Sequence, residues 1–323
     1  MLMFSLAIIV GLIFLVVSAD RFVAGAAAIA NNFGVPHIII GVTIVSLGTS
    51  APEIIAALFM SIEGKIDMAM GNAIGSNIAN IGLVLGITAL VAPLPINKRL
   101  ITNENLIMLV VAIAAGIILF NLYLGFYESI ALLIGLVGFL AWIYIQHQRN
   151  DSAVDDEFED DIPSDMSTMR ALFWFTIGLL VLVASARILV WGASGIAYQY
   201  GISDAIVGAT IIAIGTSLPE LAASVASALK KHHDIAIGNI LGSNIFNLLA
   251  VLAVPGLIAP GEFGAELFNR DYTVMMLISA FLFLVLFIQG RRGKLLGRYL
   301  GTIFVLMYAV YGYIAYSATI PTL

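Results

Sequence analysis

The 323-residue chain contains no cysteine and only four histidines. Disulfides and thiolate metal sites are therefore excluded. Charge is scarce as well: 14 basic and 20 acidic residues make up 11% of the chain, against about 25% in a soluble domain. The net charge of −6 says little about partners, because much of it lies in one segment. The opening residues, MLMFSLAIIV, lack a basic n-region and read as a first span, not a cleaved signal peptide. What fills the chain instead is apolar. It is 61% hydrophobic, with a mean hydropathy of +1.06, and its apolar runs approach the ~20 residues needed to cross a bilayer.

The expected fold is an all-α polytopic membrane protein. Ten helices are predicted, over 2–30, 35–61, 68–91, 104–121, 125–147, 170–198, 203–229, 235–259, 271–289 and 297–317. They divide into a first five-helix repeat (1–147), an acidic linker (148–169) and a second five-helix repeat (170–323). The division rests on internal identity. GVTIVSLGTSAPE at 41–53 recurs as GATIIAIGTSLPE at 208–220, with eight of thirteen positions identical. GNAIGSNIAN at 71–80 recurs as GNILGSNIFN at 238–247, with seven of ten identical. One shift of 167 residues aligns 18–80 without a gap. A period this long marks a duplicated half-molecule, not a solenoid of 20–50-residue units.

Basic residues set the expected topology. Ten of them (Lys98, Arg99, Arg149, Arg170, Lys230, Lys231, Arg291, Arg292, Lys294 and Arg298) fall on one side, and only Lys65 and Arg270 on the other. That puts the linker in the cytoplasm and both termini outside. Five helices per half is an odd number, so the halves insert in opposite orientation, an arrangement found in secondary transporters. The segment NDSAVDDEFEDDIPSDMST has eight acids and no Lys or Arg. It reads as a solvated linker and lacks the spacing of an EF-hand loop.

The repeated motifs carry the chemistry. Each puts a glutamate, Glu53 or Glu220, into an apolar stretch, at about 2.5–3.5 kcal/mol by insertion scales. Each also carries a proline, Pro52 or Pro219, that breaks an interior helix bond at roughly 3 kcal/mol. Carbonyls near Ser46–Thr49 then need a partner, and a bound cation supplies one. Ser50 adds a hydroxyl, and the second copy repeats the set with Gly215, Thr216, Ser217 and Glu220. These are hard oxygen donors of the kind calcium prefers. Asn72, Ser76 and Asn80 recur every four residues, as do Asn239, Ser243 and Asn247, and form polar stripes on the facing helices. Gly71, Gly75, Gly238 and Gly242 follow the small-xxx-small pattern. Asn77 and Asn244, off the stripes, read as interhelical hydrogen-bonding residues. Asp20 and Arg187 occupy equivalent places and read as a local ion pair or as interfacial residues, with a gate as the minor reading. The tyrosines at 308, 311, 313 and 316 read as an interfacial belt. His232 and His233 offer a pH sensor as the minor reading beside a plain basic loop.

The paired G-T-S-x-P-E and G-N-x-x-G-S-N motifs resemble those of the calcium/cation antiporter superfamily, in particular its prokaryotic sodium/calcium exchangers. The resemblance covers nearly the whole chain. It implies that Glu53 and Glu220 are the central calcium ligands, joined by the carbonyls of Thr49 and Thr216. It further implies that Ser46, Ser50, Ser76, Ala213, Ser217 and Ser243 line sodium positions, with Asn80 completing the centre. Helices 1 and 6 would slide across the other eight. One position departs: several sodium-coupled members carry aspartate where Asn247 stands here, which leaves two central carboxylates.

The expected function is export of Ca²⁺ in exchange for Na⁺ across a bacterial or archaeal cytoplasmic (inner) membrane. Proton coupling is the alternative. An intramembrane enzyme and a cation channel are weaker readings. Near-identical surroundings do not separate two acids into acid and base, and broken helices in inverted halves favour alternating access over an open pore. The expected partners are Ca²⁺ and Na⁺ as substrates and the lipid bilayer, with no cofactor, no nucleic acid and a monomeric state.

Overall fold

The computed structural model describes residues 1–96, 104–149, 166–201, 211 and 213–319. Helices dominate. They are α1 (Leu2–Phe33), α2 (His37–Ile62), α3 (Ile66–Val91), α4 (Glu104–Leu119), α5 (Phe126–Arg149), α6 (Thr168–Gln199), α7, α8 (His233–Ile258), α9 (Leu267–Arg291) and α10 (Arg298–Thr319). Of α7 the described part comprises Ala213–Thr216 and Leu218–Leu229. Among the described residues eight helices are long and apolar enough to span a membrane, and α4 and the second part of α7 are shorter apolar helices. The chain is a multi-pass membrane protein. Most of the predicted linker lies outside the described residues, as do Lys98, Arg99 and the predicted start of the seventh helix.

Two elements stand apart in length. Helices α1 and α6 each have 32 residues, about 48 Å, well beyond the ~30 Å hydrocarbon core. They run antiparallel along each other. A Cβ on Gly25 would strike the Phe175 amide nitrogen at 2.6 Å, and one on Gly178 the Phe22 nitrogen at 2.7 Å. One on Gly192 would strike the Phe4 carbonyl at 2.9 Å. Glycine is what lets the two backbones approach. The outer face of α1 (Leu2, Leu6, Ile9, Ile13, Val16) is exposed, as suits a lipid-facing helix. By contrast, α8 is enclosed, with every residue from Ile235 to Phe246 buried.

The antiparallel pairing corrects one expectation. Gly11 lies against Leu189 and Gly25 against Phe175, so Asp20 and Arg187 sit opposite different stretches of the partner helix. They do not pair. Asp20 instead binds Lys230, at 2.8 Å between Oδ1 and Nζ, and Arg21 stacks on the Trp174 ring at 5.0 Å. The tyrosine belt is also corrected in part. Tyr311 donates to the buried carboxylate of Asp271 at 3.2 Å, which Arg270 holds through two nitrogens at 2.8 and 3.0 Å. Tyr308 packs against Gly82. Of these tyrosines only Tyr313 is exposed among the described side chains.

Connections pair in a regular way. Leu94, after α3, forms a two-way backbone bridge with Leu296, after α9. Tyr123–Leu124, between α4 and α5, pairs antiparallel with Gly261–Glu262, between α8 and α9. Asp67 at the start of α3 accepts the Gly264 N–H at 2.9 Å. Connections after odd helices meet one another, and so do connections after even helices. That is the pattern expected when every helix crosses.

Candidate functional site

Helix α2 breaks at Ser50, which has φ −85° and ψ 0°. Helix α7 breaks at Ser217 with φ −88° and ψ 4°. The causes are the same: Pro52 and Pro219 open the second half-helix at its second position, where a missing N–H does least harm. Glu53 and Glu220 then fall in the first turn of their half-helices, where the positive end of the helix dipole favours a carboxylate. Both are 1% exposed. The two breaks are joined across the repeat by the Ser50 hydroxyl, which donates to Glu220 Oε1 at 3.3 Å.

The facing helices grip these breaks from behind. Asn72 Nδ2 donates to the Glu53 carbonyl and Asn239 Nδ2 to the Glu220 carbonyl, both at 3.4 Å. The two asparagines therefore position the acids through their backbone. Asn239 is the better anchored. It also donates to Ser224 Oγ at 3.0 Å and accepts from Thr49 Oγ1 at 3.0 Å. In the first copy Ala57 stands where Ser224 would be. Substituting Asn239 by alanine removes three contacts, worth about 1–3 kcal/mol. The expected result in initial-rate flux assays is a calcium KM raised roughly tenfold, with a smaller rise for Asn72→Ala.

Further along α3 and α8, each helix widens into a π-helical turn, over Asn80–Leu85 and Asn247–Val251. Such turns cluster at functional sites. Each opens on an asparagine. Among the described residues neither amide atom of Asn80 or of Asn247 has a partner, and the same holds for both carboxylate oxygens of Glu53, Oε2 of Glu220 and the Ser217 hydroxyl. All of these atoms are buried. Buried polar atoms are normally satisfied, so this many orphans in two matched copies mark a place for a ligand. The set holds two carboxylates and otherwise neutral oxygens. Among the described residues no group of three or more His, Asp or Glu side chains is placed to hold a metal.

The remaining predicted residues fall as follows. Ser46 is buried, with its hydroxyl donating to the Val42 carbonyl at 2.6 Å. Thr49, Ser76 and Ser243 are buried, and Thr49 Oγ1 lies 3.5 Å from Ser243 Oγ. Thr216 is half-buried. Ala213 opens the short helix of α7, and its side chain lies outside the described residues. Asn77 bridges the halves as expected, donating to the Asn244 carbonyl at 3.3 Å. The small-residue pattern holds in one copy: a Cβ on Gly242 would collide with Ser46 Oγ and the Val42 carbonyl, whereas Gly75 has open space. A cavity of about 280 Å³ reaches the breaks from one side, between Pro52, Ala56, Arg187, Trp191, Thr216 and Pro219. Sequence reasoning missed this opening, the two π turns and the backbone grip of Asn72 and Asn239. The last had a visible signal, since each asparagine follows its glutamate by 19 residues.

Outside the spans, His232 packs edge-on to His37, ring centroids 5.3 Å apart. Burial holds its pKa down to about 4, and repulsion from His37, Lys230 and His233 adds to the effect. The fold thus prefers the neutral ring. Its contribution to stability is full above the unfolded value near 6.5 and is lost as pH falls towards 4. Exchange by a His232→Gln variant is expected to keep the wild-type pH profile between pH 6 and 8.

Paired helix breaks, buried acids and unpartnered oxygens inside a multi-pass helical protein define a membrane transporter. The sequence profile of the sodium/calcium exchanger protein family matches residues 3–145 and 170–317, and the chain belongs to that family. It is 42% identical over 322 residues to CaxA of Alkalimonas amylolytica, covering 98% of this chain and all of the relative. It is 41% identical over 284 residues to the inner membrane protein YrbG of Escherichia coli K12, covering 86% and 87%. A solved structure of the sodium-calcium exchanger NCX_Mj superposes with a TM-score of 0.81 at 33% identity, covering 95% of this chain and 96% of that one.

Proposed function

We propose that this protein is a secondary active antiporter that exports Ca²⁺ in exchange for Na⁺, with the site alternately open to each side. The observation that carries this is the buried set of unpartnered oxygens of Glu53, Glu220, Asn80, Asn247 and Ser217. Two carboxylates balance one divalent cation, and the neutral oxygens replace its hydration shell. Thr49 and Thr216, at the two breaks, contribute backbone carbonyls. Ser46, Ser50, Ser76, Ala213, Ser217 and Ser243 flank them at sodium positions. The name of NCX_Mj supports sodium as the counter-ion.

The halves are inverted repeats of five helices, ten in all. In support, Gly11 meets Leu189 while Gly178 meets Phe22, and the shift of 167 residues relates both members of the first contact to those of the second. The linker is cytoplasmic and both termini lie outside, a reading supported by the excess of basic residues on one side.

Proton coupling keeps its place for a specific reason. With Asn247 neutral, the central charge is two, and two protons discharge it as well as one Ca²⁺ does. Calcium flux into proteoliposomes under separately imposed sodium and proton gradients decides between them. Sodium-driven flux is expected at zero proton gradient. Flux that follows the proton gradient alone would overturn the sodium assignment.

A further inference from the structure

The shift of 167 residues relates not only the ion-site motifs but also two pairs of charges, with their signs exchanged. Asp20 corresponds to Arg187 and Lys230 to Glu63. The local geometry corresponds as well. Lys230 and Glu63 each terminate the second half of a broken helix, with φ/ψ of −83°/5° and −79°/1°. Each is followed by a left-handed residue, Lys231 at φ 65° and Gly64 at φ 71°.

Only one of the two pairs is closed. Lys230 holds Asp20 at 2.8 Å, tying α1 to the end of α7. Arg187 has no ion-pair partner among the described residues and lines the cavity, while Glu63 is held by Lys65 at 2.6 Å. The packing shows the same asymmetry. Ala19, Val23, Thr49 and Ala223 are all buried. Of their counterparts, Ala186 is buried as well, whereas Val190, Thr216 and Ala56 are half-buried along the cavity. Among the described residues the packing is close around Asp20 and Lys230, and the cavity lies on the Arg187 side.

We propose that Asp20–Lys230 and Arg187–Glu63 are alternating latches of the transport cycle. Each ties one of the two long helices to the end of a broken helix on one face of the membrane. When α1 and α6 move to open the other side, Asp20 leaves Lys230, and Arg187 takes Glu63 from Lys65. The exchanged signs make each latch specific for its own face, because Asp20 and Glu63 repel, as do Arg187 and Lys230. The inference rests on the alternating-access reading above.

Charge reversal tests it in proteoliposomes. Arg187→Glu and Glu63→Arg are each expected to slow calcium exchange about fivefold, the scale of losing one exposed ion pair and adding repulsion. The double variant is expected to recover to within about twofold of the parent. An electrostatic effect of Arg187 on ions in the cavity would not be rescued from residue 63. A double variant no faster than the slower single one overturns the latch. A second measurement uses the absence of native cysteine: Glu63→Cys with Arg187→Cys, treated with a short bifunctional thiol reagent. Reversible arrest of exchange on bridging is expected. No bridging, or bridging without arrest, overturns the proposal. Failure of the parent itself to exchange calcium would instead overturn the antiporter reading.

Discussion

Replacing Glu53 or Glu220 by glutamine is expected to abolish calcium exchange while leaving the protein folded and inserted. Both side chains are 1% exposed, so a divalent ion held between them has no water to compensate a missing charge. Truncating one partner of a buried charge pair costs about 2–5 kcal/mol, and 3 kcal/mol is already more than a hundredfold in affinity. The fold should tolerate the change, because glutamine keeps the shape. Ser50 would still have an oxygen to bond at position 220. Isotopic calcium uptake by each single variant, with expression and thermal stability measured alongside, is the check. Wild-type rates in both would place the ion elsewhere.

Asn247→Asp is the second large effect. Asn247 is fully buried and neither of its amide atoms has a partner among the described residues. Its equivalent Asn80 is in the same state at the same point of a π-helical turn. A third carboxylate beside Glu53 and Glu220 adds like charge at close range, which favours protonation of one member or recruitment of another monovalent cation. Calcium exchange is expected to persist in part, with a steeper pH dependence and a changed dependence on sodium. Initial flux against sodium at two pH values, wild type and variant side by side, reads this. Superimposable curves would show that Asn247 does not face the ions.

Much of the site was legible because its physics is local. A proline removes a backbone donor whatever packs around it. A glutamate one residue further on in an apolar run has few reasons to be there. The duplicated motifs also gave the long-range order, since two identical breaks in one membrane protein are expected to meet, and Ser50 does reach Glu220. What stayed hidden depended on which helix faces which. Asp20 and Arg187 matched by position in the repeat, but antiparallel packing of α1 and α6 separates them along the axis. Tyr311 looked interfacial by residue type, yet it satisfies Asp271, a residue 40 positions away. The π turns at Asn80 and Asn247 leave no mark in hydrophobic periodicity, because α3 and α8 are enclosed on most faces and carry no single apolar stripe to be shifted. Asn72 and Asn239 were correctly placed on the facing stripe. Their bonds go to backbone carbonyls, which side-chain patterning does not reveal.

The central claim is one site that opens to the two sides in turn. It is tested most directly by efflux of isotopic calcium from loaded proteoliposomes with no sodium or proton gradient. An alternating site returns faster when loaded, so unlabelled calcium outside should accelerate efflux, and efflux into ion-free medium should be slow. Efflux that runs at full rate with no exchangeable cation outside would contradict antiport and identify an open pathway.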